Sequence, residues 1–260
     1  MPNFMRLVIG TLTRIPVPAP DNVNRHVARL AMSMAPAIGM LIALIIGIPL
    51  LLVDFAVQPQ GDPLRSLLLA VLAIAALAWL TRALHLDGLA DTADALGSGR
   101  PADQALDIAR RSDIGPFGVV ALVLVLAAQV IGLAIALSRG AGFEALALAI
   151  VSGRVAIVIA CARGIPAARA DGLGAAVAGS VPRVVALAWA LVAAALAAGL
   201  ALAIGWPPAG SIVAVVIGLL ATAVVLLVAR RRLGGITGDV LGACVEITTT
   251  TVLVVLALLP

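Results

Sequence analysis

Residues 33–53 read SMAPAIGMLIALIIGIPLLLV, with no charged side chain. A helix rises 1.5 Å per residue, so this run can cross the roughly 30 Å of hydrocarbon in a bilayer. Six further stretches of that kind follow, at about 64–84, 117–137, 143–161, 184–204, 210–229 and 239–259. The last carries Asp239 at its start and Glu246 inside it. Hydrocarbon offers no hydrogen bonds, so each span must satisfy its own backbone, and apolar runs of this length do so as helices. The expected fold is all-α: a polytopic membrane bundle of about seven transmembrane helices, a single domain over residues 1–260. The composition agrees. The chain is 63% hydrophobic, 12% charged and 3% aromatic, which no soluble domain needs.

Arginine orients the bundle. All 17 basic residues are Arg. With the N-terminus inside, the inner segments hold Arg6, Arg14, Arg25 and Arg29; Arg82, Arg100, Arg110 and Arg111; Arg163, Arg169 and Arg183; and Arg230 to Arg232. The outer segments hold only Arg65 and Arg139. Basic residues stay on the cytoplasmic side, so the expected arrangement is multi-pass, with the chemistry facing the cytoplasm and the C-terminus outside. The first 29 residues, broken by Pro2, Pro16, Pro18 and Pro20, read as a cytoplasmic head rather than a cleaved leader.

The inner connection 85–116 opens with His85-Leu86-Asp87-Gly88-Leu89-Ala90-Asp91-Thr92-Ala93-Asp94. Asp87, Asp91 and Asp94 are spaced i, i+4 and i+7, which puts them on one helical face. No Arg or Lys lies between Arg82 and Arg100 to neutralise them. Like charges four apart destabilise a helix, so the cluster asks for a cation. Hard oxygen donors at a membrane edge suit Mg²⁺, which usually completes its shell with water and substrate phosphate. His85 adjoins the acids and is a candidate base or a group that orients a carboxylate. The connection then breaks at Gly97-Ser98-Gly99 and restarts after Pro101 as a surface helix carrying an Asp107–Arg111 pair.

A second constellation, residues 230–246, follows Arg230 to Arg232: Gly234-Gly235-Ile236-Thr237-Gly238-Asp239, with Glu246 two turns deeper. Glycines allow close backbone approach, and a helix start offers free N–H groups to phosphate. Glu246 lies about 10 Å below that start and requires a partner there. Arg154 sits within the fourth apolar run, too deep to snorkel. It should face the interior and meet an anion, either Glu246 or a substrate phosphate. Ser112 to Gly118, at the entry to the third run, and Gly172 to Gly174 are weaker loop signals. Thr248 to Thr251 read as hydroxyls bonding back to helix carbonyls.

Several classes are excluded. The basic residues sit in short loops with no interleaved aromatics, so nucleic acid is not an expected partner. Cys161 and Cys244 are far apart in apolar runs and read as packing residues, not a metal or redox pair.

Four stretches together resemble the cobalamin synthase family: Leu12 to Pro18, His85 to Asp94, Ser112 to Gly118, and Thr237 to Ala243 with Glu246. They run in order from residue 12 to 246. The resemblance implies an inner-membrane, Mg²⁺-dependent adenosylcobinamide-GDP ribazoletransferase. Such an enzyme joins adenosylcobinamide-GDP to α-ribazole or its 5′-phosphate and releases GMP, late in vitamin B12 synthesis. It further implies metal binding by Asp87, Asp91, Asp94 and Asp239, with His85 and Glu246 among the catalytic groups. Substrate contacts fall to Arg14, Arg154, Ser112, Gly115, Gly238 and Arg232. The expected partners are the corrinoid nucleotide, the ribazole and the lipid bilayer, with further copies of the chain or other cobalamin-assembly enzymes as possible protein partners. One stretch departs from the family: Arg110-Arg111-Ser112-Asp113-Ile114-Gly115 stands where Lys-Asp-Ser-Arg-x-Gly is usual, with acid and base exchanged.

Two other readings compete. Another Mg²⁺-dependent membrane transferase of diphosphate substrates would be of prenyl or CDP-alcohol type. The first favours a second Asp-rich cluster, for which only Asp239 and Glu246 are on offer. The second needs an Ala-Arg pair after Asp87-Gly88, and none follows. A transporter predicts inverted repeats and charges at the midplane of several helices. Only Arg154 and Glu246 lie at depth.

Overall fold

Each apolar run becomes one long helix. The computed structural model describes residues 1–56, 62–111 and 113–259. Two short helices, α1 (Asn3–Leu12) and α2 (Arg25–Ser33), precede the first span, α3 (Ala35–Ala56). It is followed by α4 (Pro63–Leu80), the acid-bearing α5 (Leu84–Gly97) and α6 (Ala102–Ile108). Then come α7 (Pro116–Ser138), α8 (Gly142–Ala160), the single turn and a half of α9 (Gly172–Val177), α10 (Arg183–Ala203), α11 (Pro208–Leu233) and α12 (Gly238–Leu258). Among the described residues seven helices are long and apolar enough to span a membrane: α2–α3 taken together, α4, α7, α8, α10, α11 and α12.

α8 is the axis of the bundle. It packs against α3, α10, α11 and α12, and most of its side chains are buried. Its sequence explains this. Ala145, Ala147, Ala149, Gly153, Ala156 and Ala160 let neighbouring backbones approach closely, and in lipid it is packing rather than hydrophobicity that holds helices together. α7 and α10 stand at the rim and turn leucine and valine outward, such as Val123, Leu124, Leu187 and Leu191. α12 is the second buried span, between α5, α7, α8 and α11.

The polar residues inside the bundle pair across helices. Gln129 of α7 donates to Glu246 Oε2 at 2.7 Å and to Thr250 Oγ1 at 3.0 Å. Thr222 of α11 and Thr248 share a hydroxyl bond of 2.5 Å. Thr250 and Thr251 bond back to carbonyls one turn earlier, as their positions predict. Thr249 instead reaches across to the Ala149 carbonyl of α8, at 3.4 Å.

The spans start and stop within a few residues of the apolar runs. The largest differences are four residues: α11 runs on to Leu233 rather than 229, and α4 ends at Leu80 rather than continuing to 84. Thr81 bonds back to Leu77 O, and Arg82 and Ala83 both take left-handed conformations, with φ of 56° and 54°. A side chain in that region costs about 1–2 kcal/mol. The turn swings the chain sharply from α4 into α5, which packs on α12 and α7 instead of trailing as a loop.

α5 and α6 are the two helical pieces expected in the 85–116 connection. The Asp107–Arg111 pair is not formed; Arg110 makes the ion pair instead, with Asp171. The long connection after α8 folds back beside the Gly-rich motif. Pro166 O accepts from Ile236 N, and Ile236 O accepts from Ala168 N, both at 2.9 Å. This explains Gly235: a Cβ there would lie 2.3 Å from Pro166 O. Gly234, with φ of 84°, ends α11 after three arginines whose charge suits a helix C-terminus.

Candidate active site at the α5–α12 crossing

Two glycines bring the acids together. A Cβ on Gly88 of α5 would stand 2.8 Å from the Asp239 carbonyl oxygen and 2.9 Å from its Cα. A Cβ on Gly242, one turn along α12, would stand 2.9 Å from His85 O and 3.2 Å from Gly88 Cα. The two backbones therefore touch, and Asp87 and Asp91 of α5 come beside Asp239 of α12. Thr237 holds the start of α12: its hydroxyl accepts from Val240 N at 3.2 Å and donates to Asp239 Oδ2 at 3.1 Å.

Beside the crossing lies a cavity of about 350 Å³. Asp87, Asp171 and Asp239 line it together with Arg110 and Arg169. Gly172, Gly174 and Gly238 add bare backbone to the wall, beside the Leu173 side chain. Arg110 donates to both carboxylate oxygens of Asp171, at 2.7 Å each, across the mouth. Arg169 is braced by the Leu106 carbonyl. Acid and base thus line one space, of a size that suits a diphosphate.

The acids repel one another. Burial, then the charges of Asp87, Asp239 and Asp94, raise the Asp91 carboxyl to about 7. A cation relieves that repulsion. Among the described residues no three acids close into a ligating cage. Mg²⁺ commonly finishes its shell with water and substrate phosphate, so Asp87, Asp91 and Asp239 are the residues that could hold it.

Asp94 behaves differently from its spacing. It shares the face of Asp87 and Asp91 but is buried, and both its oxygens are engaged by the start of α7. Oδ2 accepts from Gly115 N at 2.7 Å and Oδ1 from Gly118 N at 2.9 Å. A Cβ on either glycine would fall within 2.5 Å of that carboxylate. The Gly115 N–H expected to meet substrate is therefore taken by Asp94. Asp94→Ala strips α7 of both acceptors. The expected loss is about 1–2 kcal/mol of stability, the size of a helix-cap deletion, read as a lower unfolding midpoint in detergent. Asp94→Asn, which keeps one acceptor oxygen, should lose less.

His85 is 4% exposed, on the buried side of α5, and neither ring nitrogen has a partner. Burial, then the Arg154 charge, pushes its pKa well below the usual imidazole range, so the ring is neutral. It borders a small second cavity with Gly238 and Gly242 rather than the main one. Arg154 faces the bundle interior as its depth predicts, 1% exposed. Glu246 is the acid whose field reaches it, but no ion pair forms between them, and Glu246 takes its hydrogen bond from Gln129 instead. Gly238 lines the cavity as expected. Arg14 does not line it: its guanidinium lies 4.8 Å from the centre of the Trp79 ring. Arg232 is exposed at the end of α11, also off the cavity. Ser112 lies outside the described residues. Sequence reading missed Arg110, Arg169 and Asp171 as cavity residues, and Gln129 as the partner of Glu246. Arginines in two connections that share a membrane side were the available signal.

The family model for cobalamin-5-phosphate synthase matches residues 4–257. The chain belongs to that family. A relative from Frankia casuarinae, an adenosylcobinamide-GDP ribazoletransferase, is 38% identical over 97% of this chain and 94% of its own length. Relatives of the same name from Nocardioides sp. and Rhizobium etli are 39% and 36% identical, each over at least 94% of both chains. No solved structure matches. Family membership extends over the α5 acids, the α12 start and both arginine-bearing connections, so every wall of the cavity lies within the matched region.

Proposed function

We propose that the chain joins adenosylcobinamide-GDP to α-ribazole or its 5′-phosphate, forming adenosylcobalamin or its 5′-phosphate and releasing GMP. The observation that carries this is the family match over residues 4–257, joined to a cavity lined by both carboxylates and arginines. The reaction is attack by a ribose hydroxyl on the cobinamide-side phosphorus. The new O–P bond forms as the P–O–P bridge breaks, and GMP leaves with the bridging oxygen. Such displacements depend on alignment and charge neutralisation more than on covalent help.

The residues divide accordingly. Asp87, Asp91 and Asp239 would hold Mg²⁺, with Asp94 fixing the start of α7 beside them. Bound there, the metal would neutralise the diphosphate and polarise its phosphorus. Asp87, the most exposed of the acids, is placed to accept the hydroxyl proton. Arg110 and Arg169 bind the departing phosphate through their N–H groups, phosphate competing with Asp171 for Arg110. The glycine backbone at Gly172, Gly174 and Gly238 lets phosphate approach main-chain N–H groups. Arg154 and Glu246 act from beneath by setting the field under α5 and α12, and His85, neutral and buried, supports the crossing from below.

Purified protein in nanodiscs, given both substrates and Mg²⁺, should form the cobalamin product with one GMP per turnover, and a chelator should stop it. GMP release without ribazole would mean hydrolysis. A lack of product, together with corrinoid uptake into vesicles, would mean transport.

The setting is the cell inner membrane, with the cavity facing the cytoplasm. Arginine asymmetry supports this orientation, because Arg110 and Arg169 lie on connections rich in arginine and the opposite side carries few. Gly99 and Gly140 sit in open turns with nothing packed on them. Epitope tags inserted after each should read inside at Gly99 and outside at Gly140 in intact spheroplasts. The reverse pattern would place the cavity outside.

A further inference from the structure

A second cavity lies on the lipid-facing side of the bundle, away from the acids. It is a groove of about 370 Å³ between α3 and α4, lined by apolar side chains that include Ile45, Pro49, Leu69, Leu72, Trp79 and Leu80. From Leu69 to Leu80 it follows α4 for about 16 Å, the depth of one leaflet. Its end nearest the acids is not apolar. Arg14 N donates to Leu80 O at 2.6 Å, and the Arg14 guanidinium stacks on the Trp79 ring. Trp79 is 61% exposed, with its ring shared between the groove and that cation. Arg82 follows three residues after Trp79 and is tied to the Gly10 carbonyl. Neither arginine forms an ion pair with a carboxylate among the described residues.

From this we propose that the α3–α4 groove is a site for an anionic phospholipid. One acyl chain lies in the groove and the headgroup phosphate sits against Arg14 and Arg82. A hydrocarbon slot one leaflet deep, capped by two cations and an interfacial tryptophan, matches the chemistry of such a lipid end to end. A zwitterionic headgroup brings the same phosphate but cancels it with its own ammonium, so the two arginines select net negative charge. The site adjoins the left-handed Arg82–Ala83 turn, so its occupant braces the end of α4 from which α5 departs. The proposal is independent of the enzymatic reading.

Tryptophan fluorescence tests it. In a Trp189→Phe/Trp206→Phe background Trp79 is the remaining indole. The protein is placed in nanodiscs of phosphatidylcholine with increasing acyl-brominated phosphatidylglycerol, or with brominated phosphatidylcholine. Each arginine contributes about fivefold in affinity, so brominated phosphatidylglycerol should quench Trp79 with about tenfold preference or more. Arg14→Ala/Arg82→Ala should bring the preference close to one, and Arg14→Lys/Arg82→Lys should keep most of it. Raising salt from about 0.1 to about 1 M shortens screening from about 10 to 3 Å and should erode the preference in the unsubstituted pair, with no risk of misfolding. Equal quenching by the two lipids would reduce the groove to ordinary bilayer contact and overturn the proposal. So would a preference that survives both salt and the double alanine variant, or a Trp79 that neither lipid quenches, as when a second copy of the chain covers the groove.

Discussion

Asp91→Asn should lower product formation by about a hundred- to a thousandfold while the protein still inserts and folds. The substitution keeps shape and removes one charge from a group of four acids that crowd one another. That crowding is why folding should not suffer. Removing a carboxylate whose burial, and then its neighbours' charges, raise its pKa to about 7 relieves both desolvation and repulsion, so the unfolding midpoint should hold or rise slightly. Activity has the opposite sign. The site needs its negative charge to neutralise a cation and align a diphosphate, and losing one electrostatic contact of that kind costs on the order of a hundred- to a thousandfold in turnover. Product formation and thermal unfolding, measured on one preparation, check both halves. Near-normal turnover would remove Asp91 from the site, and a collapse in stability would make its role structural.

Gly88→Ala should lower turnover about a hundredfold through position alone. In an isolated helix, Gly to Ala gains about 1 kcal/mol. Here the added carbon would lie 2.8 Å from the Asp239 carbonyl, against backbone that cannot rotate away, so α12 must shift from α5. Overpacking of this kind costs about 1–3 kcal/mol, enough to cancel the propensity gain. A displacement near 1 Å at a reacting centre costs about a hundredfold, and Asp239 moves with α12 relative to Asp87 and Asp91. Gly242→Ala meets the His85 carbonyl at the same crossing and should behave alike. Gly199→Ala is the control, since nothing lies within 4 Å of a carbon added there. It should leave turnover unchanged. Equal effects at Gly88 and Gly199 would mean that the α5–α12 contact does not position the acids.

Asp94 and Arg154 show where local pattern stops. Spacing places Asp94 on the face of Asp87 and Asp91, and α5 has that face. What spacing cannot show is that the start of α7, 21 residues on, arrives with two bare N–H groups and two glycines that leave room for the carboxylate. The depth of Arg154 was readable from its place in an apolar run. Its surroundings were not, because Gln129, which takes Glu246 as its acceptor, lies 117 residues from that acid.

The sequence by itself determined the helical class, the number of spans, the side on which the arginines gather and the face shared by the α5 acids. Each is a property of a short window: hydropathy over about 20 residues, or the 3.6-residue repeat. The ordered motifs likewise carried the family. The tertiary structure alone decided which acids line the cavity, that Arg110 and Arg169 line it with them, and that Asp94 caps α7. Those outcomes depend on backbones meeting at Gly88 and Gly242 and on a connection folding back from Pro166 to Ile236. Contacts between distant segments are set by how whole helices pack, and no local periodicity encodes that.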